Sequence, residues 1–125
     1  MNRVPIKRRA RFNSRTGKPY TPKKTVADEQ AVANAYKGER YDGAVRLDVH
    51  VYRALPKDRP KSTLSEPDTI KPDLDNIVKA VMDGLNGVAY DDDSQVVEIH
   101  AYKHSRVRKA GDSIRFSVRE ADEWI

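Results

Sequence analysis

Between Pro72 and Gly87 the residues Leu74, Ile77, Val78, Val81 and Leu85 recur at the three-and-four spacing that places side chains on one face of a helix. Pro72 disfavours a helical conformation at Lys71, so the chain arrives as strand or loop and turns into helix at about Asp73. Asn86-Gly87 supplies a left-handed stop, which limits the helix to about three turns. A helix with one apolar stripe must lie against another apolar layer, and this requirement governs the rest of the chain. Its other face carries Asp75, Lys79 and Asp83, one turn apart. Asp73 stands at its start, and Asp91, Asp92 and Asp93 follow it.

Each of these acids has an ordinary structural use. Asp73 suits a helix cap, worth about 0.5–2 kcal/mol, and Asp75 to Lys79 is the favourable acid-then-base spacing, worth about 0.2–0.5 kcal/mol. Three successive aspartates are harder to explain this way, because they repel one another and no turn needs more than one or two. A hard divalent cation compensates such a set. Mg²⁺ binds oxygen ligands, keeps several waters and takes only one or two protein carboxylates alongside a substrate phosphate. Asp73 and Asp75 converge on such an ion if the backbone turns between them, and Asp92 or Asp93 closes the site. Lys79, one turn from Asp75, then neutralises charge on a scissile phosphate. Mn²⁺ is an equally acceptable ion for these oxygens.

The block Asp73-Leu74-Asp75-Asn76, then Lys79, then Asp83-Gly84-Leu85-Asn86-Gly87-Val88, then Asp92-Asp93-Ser94-Gln95-Val96-Val97 resembles the RusA family of Holliday junction resolvases. The likeness is strong over residues 71 to 98. It extends more loosely to Lys7-Arg8-Arg9-Ala10-Arg11-Phe12, which resembles the family's early basic strand, and to Tyr20-Thr21-Pro22. The resemblance implies a Mg²⁺-dependent endonuclease of prophage or phage type, acting as a homodimer without an organic cofactor, that nicks four-way DNA junctions symmetrically. It places the essential carboxylates on Asp73, Asp75 and Asp93, with Asp92 as a secondary acid, and the catalytic lysine on Lys79.

The formal charge of +5 is unevenly distributed: Arg3, Lys7, Arg8, Arg9, Arg11, Arg15, Lys18, Lys23 and Lys24 all precede the first acid, Asp28. Phe12, Tyr20 and the Arg15-Thr16-Gly17-Lys18 turn suggest an ordered basic strand and hairpin rather than a solvated tail, pressed to a phosphate backbone. Lys7, Arg8, Arg9, Arg11, Lys18, Lys23, Lys24 and Lys71 are the candidate DNA contacts. Bases hold the DNA and acids hold the metal. The 125 residues suit a single domain spanning 1–125. With no cysteine, disulfides and thiolate zinc sites are excluded. The absence of an apolar leader or a bilayer-length run points to a cytoplasmic protein that does not enter the membrane.

Elsewhere, Thr25 with Asp28 reads as a capping box for a helix over 26–37, with Val26, Ala33 and Tyr36 on its weak face. Val45, Leu47, Val49 and Val51 alternate with Arg46, Asp48, His50 and Tyr52 as a half-buried strand. Residues 56–72, rich in proline and charge, read as a long surface loop on which Lys57, Arg59, Lys61 and Lys71 can reach DNA. Two alternating segments, 97–102 and 114–118, read as a hairpin. Trp124 and Ile125 read as residues that pack on the core or on a second subunit. The expected fold is a two-layer α+β domain: a mixed, mostly antiparallel sheet of about four strands, completed by a strand near residues 4–12, with two helices on one face, in a homodimer. Two alternatives remain open from the residues: a branched-DNA-binding protein without cleavage activity, and another Mg²⁺-dependent nuclease or phosphoryl-transfer enzyme. The second lacks the phosphate-cradling glycine-rich loop that nucleotide enzymes use.

Overall fold

The computed structural model describes residues 1–8 and 11–122, so the expectations for Arg9, Trp124 and Ile125 lie outside the described residues. The chain runs β1 (Arg11–Phe12), β2 (Pro19–Tyr20), α1 (Lys23–Ala35), β3 (Val45–Tyr52), β4 (Ser65–Glu66), α2 (Leu74–Leu85), a 3₁₀ turn (Asp93–Gln95), β5 (Val96–Lys103), β6 (Arg106–Val107) and β7 (Ser113–Glu120). Val45, Leu47, Val49 and Val51 of β3 are completely buried beneath the helices, and the intervening residues lie on the opposite, half-buried face. Full burial of each such side chain contributes about 1.5–3 kcal/mol. β3 is therefore the centre of the main sheet, whose order is β5-β3-β7. The remaining strands form two small antiparallel pairs, β1-β2 and β4-β6.

This gives the expected α+β domain with two helices and a mixed sheet, but the pairing differs from the expected hairpin. β5 and β7 do not pair with each other; β3 lies between them, parallel to β5 and antiparallel to β7. The most apolar strand takes the position buried from both sides. A parallel partner then demands a crossover, and α2 supplies it. Residues 104–112 have enough length to pass β3, and Arg106–Val107 within them pair with Ser65–Glu66.

The expected strand at residues 4–12 is also replaced. Residues 1–8 form a strap across the helices: Met1 exchanges backbone hydrogen bonds with Ile114 of β7. Further along, Ile6 N–H donates to the Asp28 carboxylate at 3.1 Å, Arg8 N–H to Thr25 Oγ1 at 3.2 Å and Lys7 N–H to Asn76 O at 3.1 Å. Thr25 and Asp28 thus do not cap α1. Pro22 occupies the cap position, its carbonyl accepting from Thr25 and Val26, while Thr25 and Asp28 lie inside the helix, buried against the strap. Val26 is exposed, and Val32 is the residue of α1 in the core.

α2 follows the sequence reading, with Asp73 as N-cap, Asn86 as C-cap and Gly87 at φ +78°. Ile77, Val78, Val81 and Leu85 are buried in the core shared by both helices and β3. The 56–72 segment is tied down more firmly than a surface loop: Arg108 Nε donates to Thr63 O at 2.8 Å, Arg59 Nε pairs with Glu66 at 3.0 Å, and the Asp68 side chain is fully buried. Among the described residues no helix is long and apolar enough to cross a membrane.

The two helices touch at Gly84. A Cβ there would meet Val32 Cβ at 2.7 Å and the Glu29 carbonyl oxygen at 2.8 Å. Gly84→Ala is therefore expected to lower stability by about 1–2 kcal/mol, because overpacking a rigid contact outweighs the better helix propensity of alanine. A urea midpoint equal to or above the parent's would contradict that close approach.

Candidate functional site

α2 and β5 enclose an open groove of about 680 Å³. Its apolar floor comes from Leu74, Val78 and Met82 of the helix and from Ile99 and Ala101 of the strand. Asp75, Lys79 and Asp83 line it from α2, their four-residue spacing setting them one above another along the axis, and Asp93 lines it from the 3₁₀ turn. Of the residues singled out from sequence, the fold thus gathers Asp75, Lys79 and Asp93. Asp73, the N-cap, is exposed and stands outside the groove lining, in extended backbone with no capping hydrogen bond from its side chain.

Among the described residues, the side chains of Asp73, Asp75, Lys79 and Asp93 have no ion-pair or hydrogen-bond partner, so the Asp75–Lys79 pair suggested by spacing does not form. Their neighbours are all engaged. Asp83 receives Lys7 Nζ at 2.9 Å, and Glu29 receives the same ammonium at 3.4 Å. The Asp83 hydrogen bond, opposed by burial, holds the Lys7 pKa above its ordinary value. Asp91 pairs with Arg40. Asp92 caps the 3₁₀ turn, accepting from Ser94 N–H at 3.2 Å; hydrogen bonds from the Ser94 side chain and backbone hold its carboxyl below the ordinary range. Three adjacent aspartates therefore have three different surroundings, and only Asp93 faces the groove.

Sequence reasoning missed the residues that place this turn. Gln95 Oε1 accepts from the backbone N–H of Asp91 at 2.8 Å and of Asp92 at 3.2 Å, while its amide donates to the carbonyls of Tyr41 and Gly43, both at 2.9 Å. The signal was available, since Asp92-x-x-Gln95 is a capping-box spacing. Tyr90, wholly buried, donates its hydroxyl to Met82 O at 2.9 Å. Burial, reinforced by the anionic Asp93, Asp83 and Asp92, raises its pKa.

Whether these residues suit a cation turns on donor chemistry. Among the described residues no three carboxylates or imidazoles lie close enough to hold a metal on their own. Mg²⁺ does not require three, because waters and substrate phosphate complete its shell. Asp75 and Asp93, hard oxygen donors on one groove without partners among the described residues, fit that requirement.

The basic residues separate into two groups. Lys7 and Arg8 serve the strap, Arg8 reaching Asp28 at 2.9 Å. Arg11, Lys23 and Lys24 are exposed and, with Arg8 and Tyr20, line a cationic cleft of about 500 Å³ beside the β1-β2 hairpin. Lys18 and Lys71 are exposed outside it. Because Lys7 touches the groove-lining Asp83 and the next residue lines the cleft, strap residues link the two features.

The sequence profile described as endodeoxyribonuclease RusA matches residues 3–115. The protein described as "Uncharacterized protein YqaN" of Bacillus subtilis (strain 168) is 38% identical over 110 residues, covering 76% of this chain and 77% of that one.

Asp28 ties the strap to α1 and sets an acid limit on stability. Burial pushes its carboxyl up, but hydrogen bonds from Arg8, Ile6 N–H and Arg3 outweigh this and hold it below the ordinary 3.8. A depressed carboxylate contributes its stability fully above the unfolded-state value and loses it as pH falls through the folded-state value. Asp28→Asn should cost about 2 kcal/mol near neutral pH and noticeably less in acid. Melting curves from pH 7 to pH 3 would test this; a penalty independent of pH would contradict it.

Proposed function

Because the chain belongs to the RusA family of endodeoxyribonucleases, we propose that it is a Mg²⁺-dependent enzyme that resolves four-way DNA junctions by paired symmetric nicks in recombination and repair. RusA-family nucleases are generally dependent on divalent metals, and the family implies junction DNA as the ligand. The main support within this chain is that Asp75, Lys79 and Asp93 face one groove with no partner among the described residues to neutralise them. Acids left unpaired beside a DNA-binding surface repel the phosphate backbone unless a cation intervenes.

In this reading Asp75 and Asp93 hold the cation, Asp73 reaches it from the helix cap, and Asp92 assists as a neighbouring acid. Bound Mg²⁺ supplies Lewis-acid activation of water and charge neutralisation at the scissile phosphate. Lys79, on the same helix face as Asp75, stabilises negative charge on the phosphoryl oxygens during in-line attack. The apolar floor of the groove excludes bulk water from one side of that charge, which strengthens the lysine's effect. Arg11, Lys18, Lys23, Lys24 and Lys71 hold the DNA arms by their phosphates, joined by Arg9 and, beyond their structural contacts, by Lys7 and Arg8. Two strands must be cut to resolve a junction and, among the described residues, one domain has one groove that carries Asp75, Lys79 and Asp93, so the active species is a two-fold dimer whose axis matches the junction's.

A labelled four-way junction tests the reading directly. The parent should nick opposing strands in Mg²⁺ and leave linear duplex intact. Asp75→Asn and Asp93→Asn should keep gel-shift binding but lose cleavage by roughly 100-fold or more, and Lys79→Met by about 100–1,000-fold. Since these groups have no partners among the described residues, melting temperatures should be unchanged or slightly raised. Tight binding without cutting by the parent, in both Mg²⁺ and Mn²⁺, would overturn the catalytic reading. A junction complex that sediments with one protein chain would overturn the dimer.

A further inference from the structure

Three consecutive carbonyl oxygens ahead of Asp73 are held by cations rooted in the sheet. Arg53, directly after β3, donates from Nη2 to Ile70 O at 2.7 Å and from Nη1 to Lys71 O at 3.0 Å. Lys103, the last residue of β5, donates from Nζ to Ile70 O at 2.8 Å and to Pro72 O at 3.1 Å. Behind them the buried Asp68 carboxylate receives Arg53 Nε at 2.7 Å and Arg53 Nη2 at 2.5 Å. Lys103 stands 3.6 Å from it and Arg106 3.9 Å.

The side chains of Arg53, Lys103 and Arg106 are only 9%, 12% and 13% exposed, so three cations are largely desolvated around one carboxylate. Such clusters are poor sources of stability, since apolar packing of similar volume closes a loop as well or better. What they provide is direction. Each hydrogen bond to a carbonyl fixes a peptide plane, and here three successive planes are fixed in the segment from which Asp73 projects. No side-chain cap otherwise orients that residue. Lys103 shares a face of β5 with Ile99 and Ala101, at two-residue spacing, so the clamp belongs to the sheet face that floors the groove.

We propose that Arg53 and Lys103 are positioning residues for the metal site, holding Ile70–Pro72 so that Asp73 presents its carboxylate to the cation shared with Asp75 and Asp93. This rests on the metal-dependent reading above. The clamp acts through Asp73 and touches neither substrate nor metal. Partners of this kind, which orient a ligand without joining it, typically change metal affinity by about 10–100-fold when removed.

The test is Mn²⁺ affinity, measured by electron paramagnetic resonance of free Mn²⁺ on the full chain well below its melting temperature. Lys103→Met should weaken binding about tenfold, and Lys103→Arg should recover part of the loss. Arg53→Lys, which keeps a cation beside Asp68 but loses the fork that spans two carbonyls, should weaken it several-fold; it also serves if Lys103→Met fails to fold. In an Asp73→Asn background the Lys103 or Arg53 substitution should add little, because each acts through the same carboxylate. A merely structural role lowers the melting temperature without that coupling. Folded clamp variants with parental Mn²⁺ affinity, or losses that add fully to that of Asp73→Asn, would overturn the proposal while leaving the nuclease reading intact. A parent that binds no Mn²⁺ and cuts no junction would overturn both.

Discussion

The parallel pairing of β3 with β5 is the constraint from which the rest of the architecture follows. Parallel neighbours cannot be joined by a tight turn, so the chain must leave the sheet, cross one face and return. α2 is that crossing. Its apolar stripe covers β3, its remaining face looks along β5, and the groove forms between them. The 3₁₀ turn that re-enters the sheet necessarily sits where the crossover ends, which brings Asp93 opposite Asp75 and Lys79. The site is thus a by-product of chain return, placed by the same contacts that build the core.

How much of this could be read in advance depended on whether a residue's neighbour in space is also its neighbour in sequence. α2 was legible because its stripe, its entry proline and its Asn86-Gly87 exit are all local. β3 was legible because alternation is local as well. Strand order was not, since 97–102 and 114–118 carry the same pattern whether they pair with each other or flank a third strand. Thr25 and Asp28 misled for a related reason. Their spacing matches a cap, yet Pro22 had already taken that position, and the partners that satisfy Asp28 lie 20 or more residues away on the strap. Arg53 and Asp68 were invisible as a pair because nothing local distinguishes a buried charge from a solvated one.

Charge is divided by function across the molecule. Asp28, Asp68, Asp83 and Asp91 are each matched to a cation, and all four matches join segments that are apart in sequence: the strap to α1, the end of β3 to the proline-rich segment, the strap to α2, and the α1–β3 link to the acidic turn. These aspartates act as fasteners. Asp75, Asp93 and Lys79 fasten nothing among the described residues and lie on the groove. A chain with many charges and a small core can use both kinds of acid, and the fasteners at Asp28 and Asp68 are buried enough that water does not compete for them.

In α2 a single rotational phase serves two purposes: one side of the helix fits the core and the other carries the groove's charges. Inserting or deleting one residue near Lys79 would turn everything beyond it by about 100°. Core residues and groove residues would be displaced together, and no compensating change on one face would rescue the other. Length in this segment is consequently far less tolerant of change than side-chain identity. The reverse holds at the exposed tip of the β6–β7 link, residues 109–111: Arg108 and Asp112 on either side are tied to Thr63 and Ala54, but the tip itself has few such obligations and can absorb insertions. Divergence in chains built this way should therefore accumulate as length changes at the periphery and as substitutions, never as indels, within the crossover helix.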